Sequence, residues 1–136
     1  MSIKLVASDL DGTIIDRNNN ISKKNFDAIK LIHKKNIKFV VCTGKSYSVS
    51  NKICKSLNAD YGVFGNGTQI IDLRTGKELL RKTLSQEDLL FVITLAKRYN
   101  FHIHLYTDNE IVSEKLEYMD LRNFILKNQT DSNLEF

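Results

Sequence analysis

The sequence predicts an α/β protein built on a parallel, doubly wound sheet, and two observations support that prediction. Short β-branched apolar runs alternate with amphipathic helical segments, in the order strand, helix, strand, helix, strand, over the first half of the 136 residues. Each of the three strands ends at a cluster of polar, turn-forming residues. We therefore expect right-handed crossovers and a ligand site beyond the carboxyl ends of these strands.

The elements of the first half follow from residue periodicity. The predicted strands are Ile3–Ser8, Ile37–Cys42 and Tyr61–Phe64, and the predicted helices are Ser22–Lys35 and Ser48–Leu57. The strands are short apolar runs, and the helices carry apolar residues at helical spacing. Ser22 is a suitable N-cap for the first helix. Residues 14–21 contain three consecutive asparagines, which predicts a loop or a short flap.

The pattern changes after Gly67, where a hairpin follows the parallel repeat. The predicted elements are hairpin strands Gln69–Asp72 and Leu79–Thr83, a helix over Ser85–Tyr99, strands Phe101–Thr107 and Glu110–Ser113, and a final helix through Leu116, Met119, Phe124 and Ile125. The acidic start of the long helix at Ser85 resembles a capping box. We expect two sub-structures, residues 1–66 and residues 67–136.

Composition and charge exclude several classes of protein. The net charge is +4, but the lysines are scattered among acidic residues, so we expect no nucleic-acid partner. No apolar run approaches the ~20 residues of a membrane span, and the amino terminus does not resemble a secretion signal. Cys42 and Cys54 match no zinc or redox spacing. We expect a reduced, cytoplasmic protein without a membrane partner.

Polar or small residues follow each predicted parallel strand. Asp9 and Asp11 follow the first strand, Thr43 and Gly44 follow the second, and Asn66 follows the third. Because a doubly wound sheet brings its strand ends to one rim, we expect these residues to lie together. Carboxylates, a hydroxyl and backbone amides on one rim suit a phosphate and a hard metal ion. One aspartate could attack phosphorus while the other shuttles a proton. The alternative is that the two aspartates merely close the strand in an Asx turn.

These motifs resemble those of the haloacid dehalogenase (HAD) superfamily. Segment 9–13 (DLDGT), after a buried strand, resembles the first signature, DxDGT, and Thr43-Gly44 resembles the second. Segment 65–68 stands where the Cof-type phosphatase branch has its Asn-Gly link, and the following hairpin and helix resemble the start of that branch's cap. The resemblance covers nearly the whole chain. It implies a HAD-type, Rossmann-like three-layer sandwich, with residues 1–66 as the first half of the core and residues 67–136 as part of an inserted α+β cap.

The resemblance also implies roles for the two aspartates. Asp9 matches the nucleophile, which forms an aspartyl-phosphate, and Asp11 matches the residue that protonates the leaving oxygen and later activates water. The family's Mg²⁺ is bound by the carboxylate matching Asp9 and the backbone carbonyl matching Asp11.

Four further residues are predicted to bind the phosphate. Thr43 matches the threonine whose hydroxyl holds a phosphate oxygen, and Gly44, Lys45 and Asn66 complete the predicted phosphate site. Lys45 stands where the branch commonly has arginine. Lysine keeps the charge but lacks the planar fork that grips phosphate in a bidentate manner.

The family's later signatures are missing from this sequence. A lysine and an acidic pair that completes the magnesium site follow the cap in the family, and no GDxxND-like segment occurs here. We expect either a fragment of a longer protein or a truncated relative. The predicted function is a magnesium-dependent phosphatase of small phosphorylated metabolites, with a phosphomutase as a close variant. The alternative is a non-catalytic fragment, or a binding or scaffold domain.

A polar face of one predicted strand is a candidate specificity surface. His102, His104 and Tyr106 alternate with Ile103 and Leu105, so one face of the strand is polar and the other apolar. The resemblance implies that the polar face meets the leaving group of the substrate, and the alternative is that it faces solvent. Two histidines at i and i+2 could share a metal ion, although no third ligand is evident nearby.

Overall fold

A computed structural model describes residues 2–107 and 111–113 of the chain. The described residues form two compact units, of which the first ends at Arg81 and the second begins at Lys82. The predicted final helix lies outside the described residues.

The first unit is a five-stranded mixed sheet with two helices. Its elements are β1 (Leu5–Asp9), α1 (Lys23–Lys34), β2 (Lys38–Cys42), α2 (Tyr47–Ser56), β3 (Tyr61–Phe64), β4 (Gln69–Asp72) and β5 (Glu78–Arg81). The strand order is β1-β2-β3-β4-β5. The first three strands are parallel, and β4 and β5 are antiparallel to their neighbours. The predicted α/β class and its parallel strands are confirmed.

The β4–β5 hairpin belongs to the same sheet as the parallel strands. A short 3-10 turn over Gly65–Gly67 reverses the chain, with Asn66 in the left-handed region at φ 57°. Strand β4 then returns along β3, in a register that pairs Phe64 with Gln69. We expected the first sub-structure to end at residue 66, but the compact unit extends to Arg81 because these hydrogen bonds join the hairpin to β3. The assignment of the second half to a cap stays a prediction.

The core of the first unit lies between one face of this sheet and the two helices. The core cluster consists of Leu10, Ile14, Ile15, Ile29, Phe39, Val41, Cys54, Leu57, Ala59, Phe64 and Ile71. Phe39 and Val41 are two residues apart on β2 and therefore share a face. Ile29 of α1 and Cys54 of α2 belong to the same cluster, so both helices cover that face. Residues 14 and 15 are buried, which makes the segment after β1 a packed flap.

All three described helices end at an asparagine in the left-handed conformation. Asn36, Asn58 and Asn100 have φ values of 55°, 50° and 54°. After α1, the Asn36 N–H donates to the carbonyl of His33, and the next N–H donates to that of Ile32. This pattern, repeated at the other two ends, is a Schellman motif with asparagine in the place usually held by glycine. The predicted helix ends are therefore confirmed to within a residue or so.

Asp60 anchors the amino-terminal end of the parallel strands, whereas the predicted site residues follow their carboxyl ends. Its side chain is 1% exposed. Oδ2 accepts a hydrogen bond of 2.9 Å from the N–H of Phe39, and Oδ1 forms ion pairs with Lys38, at 3.0 Å, and Arg74. Its carbonyl accepts from the N–H of Leu73. One carboxylate thus joins β2 to the turn that follows β4.

The second unit contains a helix and a two-stranded antiparallel sheet. These are α3 (Gln86–Arg98), β6 (His104–Tyr106) and β7 (Ile111–Ser113). Ser85 caps α3, because its Oγ accepts from the N–H of Asp88 as the predicted capping box requires. Strand β6 is shorter than predicted. Among the residues that the structure describes, no helix is long and apolar enough to cross a membrane.

Candidate functional site

The turn after β1 directs two aspartates to the surface. Leu10 is buried, and its carbonyl accepts the N–H groups of residues 13–15. Gly12 adopts φ 75°, which a residue with a side chain would tolerate poorly. Because Leu10 points into the core between them, Asp9 and Asp11 are both exposed at the carboxyl end of β1.

Thr43 is buried at the carboxyl end of β2 and links this strand to the end of β3. Its N–H donates to the carbonyl of Val63 at 2.9 Å. Its Oγ1 accepts from the N–H of Lys45 at 3.2 Å, so the hydroxyl hydrogen is directed away from that bond. The carbonyl of Lys45 in turn accepts from the N–H of Gly65 at 3.0 Å. These bonds connect the loops after β2 and β3.

Lys45 also reaches the loop after β1. Its Nζ lies 2.7 Å from Oδ1 of Asp11, with the two side chains 22% and 47% exposed. One residue therefore contacts all three strand ends, through its N–H, its carbonyl and its side chain. This ion pair was not predicted from the sequence, because the family resemblance implied only a phosphate-binding role for Lys45. It is a partly solvated pair, so its effect on stability is small and its importance is geometric.

Asn66 covers Gly44. A Cβ atom placed on Gly44 would lie 2.7 Å from Oδ1 of Asn66, which is closer than such atoms approach in proteins. Asn66 is held there by the left-handed turn after β3. The absence of a side chain at Gly44 is thus what lets the amide of Asn66 approach the loop after β2.

Two further features bear on the charge around this site. Burial raises the pKa of the Cys42 thiol, and the nearby Asp9 carboxylate raises it further, so the thiol is protonated at neutral pH. Helix α2 begins two residues after Lys45, and the Oγ of its N-cap, Ser46, pairs with the Oγ of Ser48 at 2.9 Å and caps no backbone N–H of the first turn. The positive end of that helix dipole favours an anion.

Asp9 and Asp11 provide oxygen ligands of the kind that Mg²⁺ prefers. Mg²⁺ is usually held by one or two carboxylates together with water and phosphate oxygens. Within residues 2–107 and 111–113, no group of three or more His, Cys, Asp or Glu side chains could hold a metal ion. The two aspartates are therefore suitable ligands for Mg²⁺, but they supply only part of the ligands that the ion needs.

The candidate specificity residues lie in the second unit. His102 and His104 face each other, with Nε2 atoms 2.8 Å apart. Tyr106, at the end of β6, is exposed. His102 precedes β6 and its ring contacts that of His104, which lies in the strand; a contact of either histidine with substrate stays a prediction.

The family of haloacid dehalogenase-like hydrolases matches residues 6–135. The chain belongs to this family. The resemblance seen in its signatures, including that to the Cof-type branch, is therefore confirmed, as is the HAD-type fold.

Solved structures of the family share this fold. The HAD phosphatase BT1666 of Bacteroides thetaiotaomicron superposes with a TM-score of 0.79 at 24% identity, over 90% of this chain and 46% of that one. A HAD/COF-like hydrolase of Plasmodium vivax is 30% identical, with a TM-score of 0.61, over 72% of this chain and 37% of that one.

A relative in Bacillus subtilis has a named substrate. The 5-amino-6-(5-phospho-D-ribitylamino)uracil phosphatase YwtE is 31% identical over 114 residues, which are 82% of this chain and 38% of that protein. The chain spans less than half the length of the curated relatives it matches.

Proposed function

We propose that the protein hydrolyses phosphoric monoesters of small metabolites, with Asp9 as nucleophile and Mg²⁺ as cofactor. The observation that carries the proposal is the junction at Lys45, which draws the three strand ends of the family's signatures together. The similarity to a phosphatase of a phosphorylated small molecule supports the class of substrate.

The reaction proceeds in two displacements at phosphorus. A carboxylate oxygen of Asp9 attacks, the bond from phosphorus to the leaving oxygen breaks, and Asp11 gives that oxygen a proton. Water then attacks the aspartyl-phosphate, Asp11 takes its proton, and inorganic phosphate leaves with Asp9 restored. Lys45, at 2.7 Å, positions the Asp11 carboxylate for both proton transfers. The Asp9 carboxylate and the Asp11 carbonyl would hold Mg²⁺, which neutralises charge on the phosphate oxygens.

The phosphate is held by the loops after β2 and β3. The Thr43 hydroxyl donates to one phosphate oxygen, since its acceptor position is already used by the N–H of Lys45. Gly44 leaves space for close approach, and Asn66, whose Oδ1 faces Gly44, would donate to the phosphate from its Nδ2. The ammonium of Lys45 contributes positive charge. This arrangement also suits a phosphomutase, in which a second substrate oxygen replaces water.

The leaving group meets His102, His104 and Tyr106 in this proposal. Imidazole and phenol groups suit sugar hydroxyls. The proposal also includes a cytoplasmic location, which the two free cysteines favour. His104→Ala should change the order in which the enzyme prefers its substrates, measured as kcat/KM over a panel of phosphorylated compounds. A small change of equal size for all substrates would show that this surface does not determine specificity.

The test is turnover of phosphorylated sugars and cofactors by the complete gene product, with and without Mg²⁺. Asp9→Asn should abolish turnover, because an amide is a far poorer nucleophile than a carboxylate. Asp27→Asn, on the exposed surface of α1, is the matched control and should retain full activity. Normal turnover by the Asp9→Asn protein would exclude the covalent mechanism.

A non-catalytic phosphate-binding domain is the second candidate function. The observation that favours it is the incomplete metal ligand set among the described residues. Calorimetric titration with Mg²⁺ separates the two functions. If the catalytic proposal holds, the 136-residue chain should bind Mg²⁺ weakly and the complete gene product more tightly. Phosphate binding that is indifferent to Mg²⁺ in both proteins would favour the second candidate.

A further inference from the structure

His102 and His104 hold two nitrogen atoms of the kind that bind metal ions close together, outside the phosphate site. Their Nε2 atoms are 2.8 Å apart, and their ring planes are inclined at 81°. An N–H···N hydrogen bond at this distance requires one ring to donate and the other to accept. The two Nε2 atoms therefore point towards each other across one shared hydrogen.

The spacing of these two atoms matches that of adjacent ligands on one metal ion. Bonds from imidazole to Zn²⁺ are about 2.0–2.1 Å long, so two ligands at a right angle lie about 2.9 Å apart. Two ligands at the tetrahedral angle lie about 3.3 Å apart, which needs only a small opening of the pair. A metal ion bound to both Nε2 atoms would lie to one side of the line that joins them, and the ring that donates the hydrogen bond would then carry its hydrogen on Nδ1 and not on Nε2.

The backbone limits the motion that would separate the two rings. His104 lies in β6, where it is the register partner of Ser113 in β7. His102 precedes it by two residues, outside β6, and its ring packs edge-on against that of His104 with the centroids 4.3 Å apart. His102 is exposed, and His104 is half-buried with its Nδ1 atom buried.

We propose that His102 and His104 form a bidentate site for a divalent transition-metal ion of the class that prefers imidazole, namely Ni²⁺, Cu²⁺ or Zn²⁺. Imidazole nitrogen distinguishes these ions from Mg²⁺, which takes oxygen ligands. Within the part of the chain that the structure describes, no group of three metal-ligating side chains includes the pair. Cu²⁺ should bind more tightly than either Zn²⁺ or Ni²⁺.

The affinity test uses the 136-residue chain and NiCl2, with excess Mg²⁺ to occupy oxygen-ligand positions. Calorimetry should show one equivalent of Ni²⁺ bound. His102→Ala and His104→Ala should each weaken binding by about 100-fold, because either change turns a two-point contact into a single one. His33→Gln is the matched control, since it removes a third histidine whose Nε2 contacts the Leu57 carbonyl, and it should bind Ni²⁺ like the unmodified chain.

A second measurement needs no variant and locates the ion directly. Addition of Zn²⁺ should shift the ring-proton NMR signals of His102 and His104 together and leave those of His33 in place. Ni²⁺ binding that survives both alanine variants, or Zn²⁺ shifts at other residues alone, would overturn the site. Neither measurement depends on phosphatase activity, so the proposed function and the metal site can fail independently.

Discussion

Replacing Asp60 tests the part of the fold that holds the amino-terminal end of the sheet. Asp60→Ala removes a carboxylate that accepts from the N–H of Phe39 and pairs with Lys38 and Arg74. The N–H of Phe39 then stays buried without this acceptor, whereas the two cations, at 40% and 60% exposure, can turn to water.

The magnitude follows from these different exposures. A buried donor that loses its partner costs about 1–3 kcal/mol. The ion pairs to the two solvated cations contribute at most about 1 kcal/mol each after screening by water. We therefore expect Asp60→Ala to lower the free energy of unfolding by about 2–4 kcal/mol.

Urea unfolding followed by circular dichroism measures this loss in the 136-residue chain. Asp60→Asn keeps an oxygen acceptor for the N–H of Phe39 and should cost less than Asp60→Ala. Lys38→Met and Arg74→Met should each cost less than about 1 kcal/mol. If Lys38→Met destabilised the chain as much as Asp60→Ala, the ion pair and not the main-chain hydrogen bond would be the dominant contact, and the reasoning would be refuted.

Three further predictions concern the site and the buried thiol. Thr43→Val should lower kcat/KM by roughly 10- to 100-fold, because a hydrogen bond to a charged group contributes about 1.5–3 kcal/mol. Thr43→Ser keeps the hydroxyl and is the control. Equal kinetics for the two variants would place the hydroxyl away from phosphate. Gly44→Ala should displace the Asn66 side chain and raise KM. In a protein that already carries Asn66→Gly, the same change should have little further effect. Glycine suits residue 66, because this residue has a left-handed φ. If the effects of Gly44→Ala and Asn66→Gly on KM were additive in the double variant, the contact between these two residues would be contradicted. Burial raises the pKa of the Cys54 thiol from 9.0 to about 12. Below pH 9 the thiol is protonated in both the folded and the unfolded chain, and its contribution to stability is fully present. As the pH rises from 9 towards 12, the thiol ionises more readily in the unfolded chain, and the free energy of unfolding falls by about 1.4 kcal/mol per pH unit. Denaturation from pH 8 to 11 should show this loss relative to Cys54→Ala, and parallel profiles would argue against the raised pKa.

The sequence by itself determined most of the local structure and the identity of the candidate site. Strands β3 and β4 begin and end at the residues predicted from the sequence, and Ser22 and Ser85 cap the helices they precede. These features depend on neighbouring residues, so a local pattern is sufficient to predict them. The polar residues after the parallel strands were predictable for a related reason, since a parallel sheet brings its carboxyl ends to one edge.

Only the tertiary structure decided which distant residues touch. The pairing of β4 with β3 depends on the left-handed turn at Asn66, and it moved the hairpin into the first compact unit. The contacts of Lys45 with Asp11 and of Asp60 with Phe39 join residues more than twenty positions apart. Residue periodicity reports which face of an element is buried, but it carries no information about the partner of a polar side chain. That partner is set by how the elements pack, and packing fixes the distances on which the proposed chemistry depends.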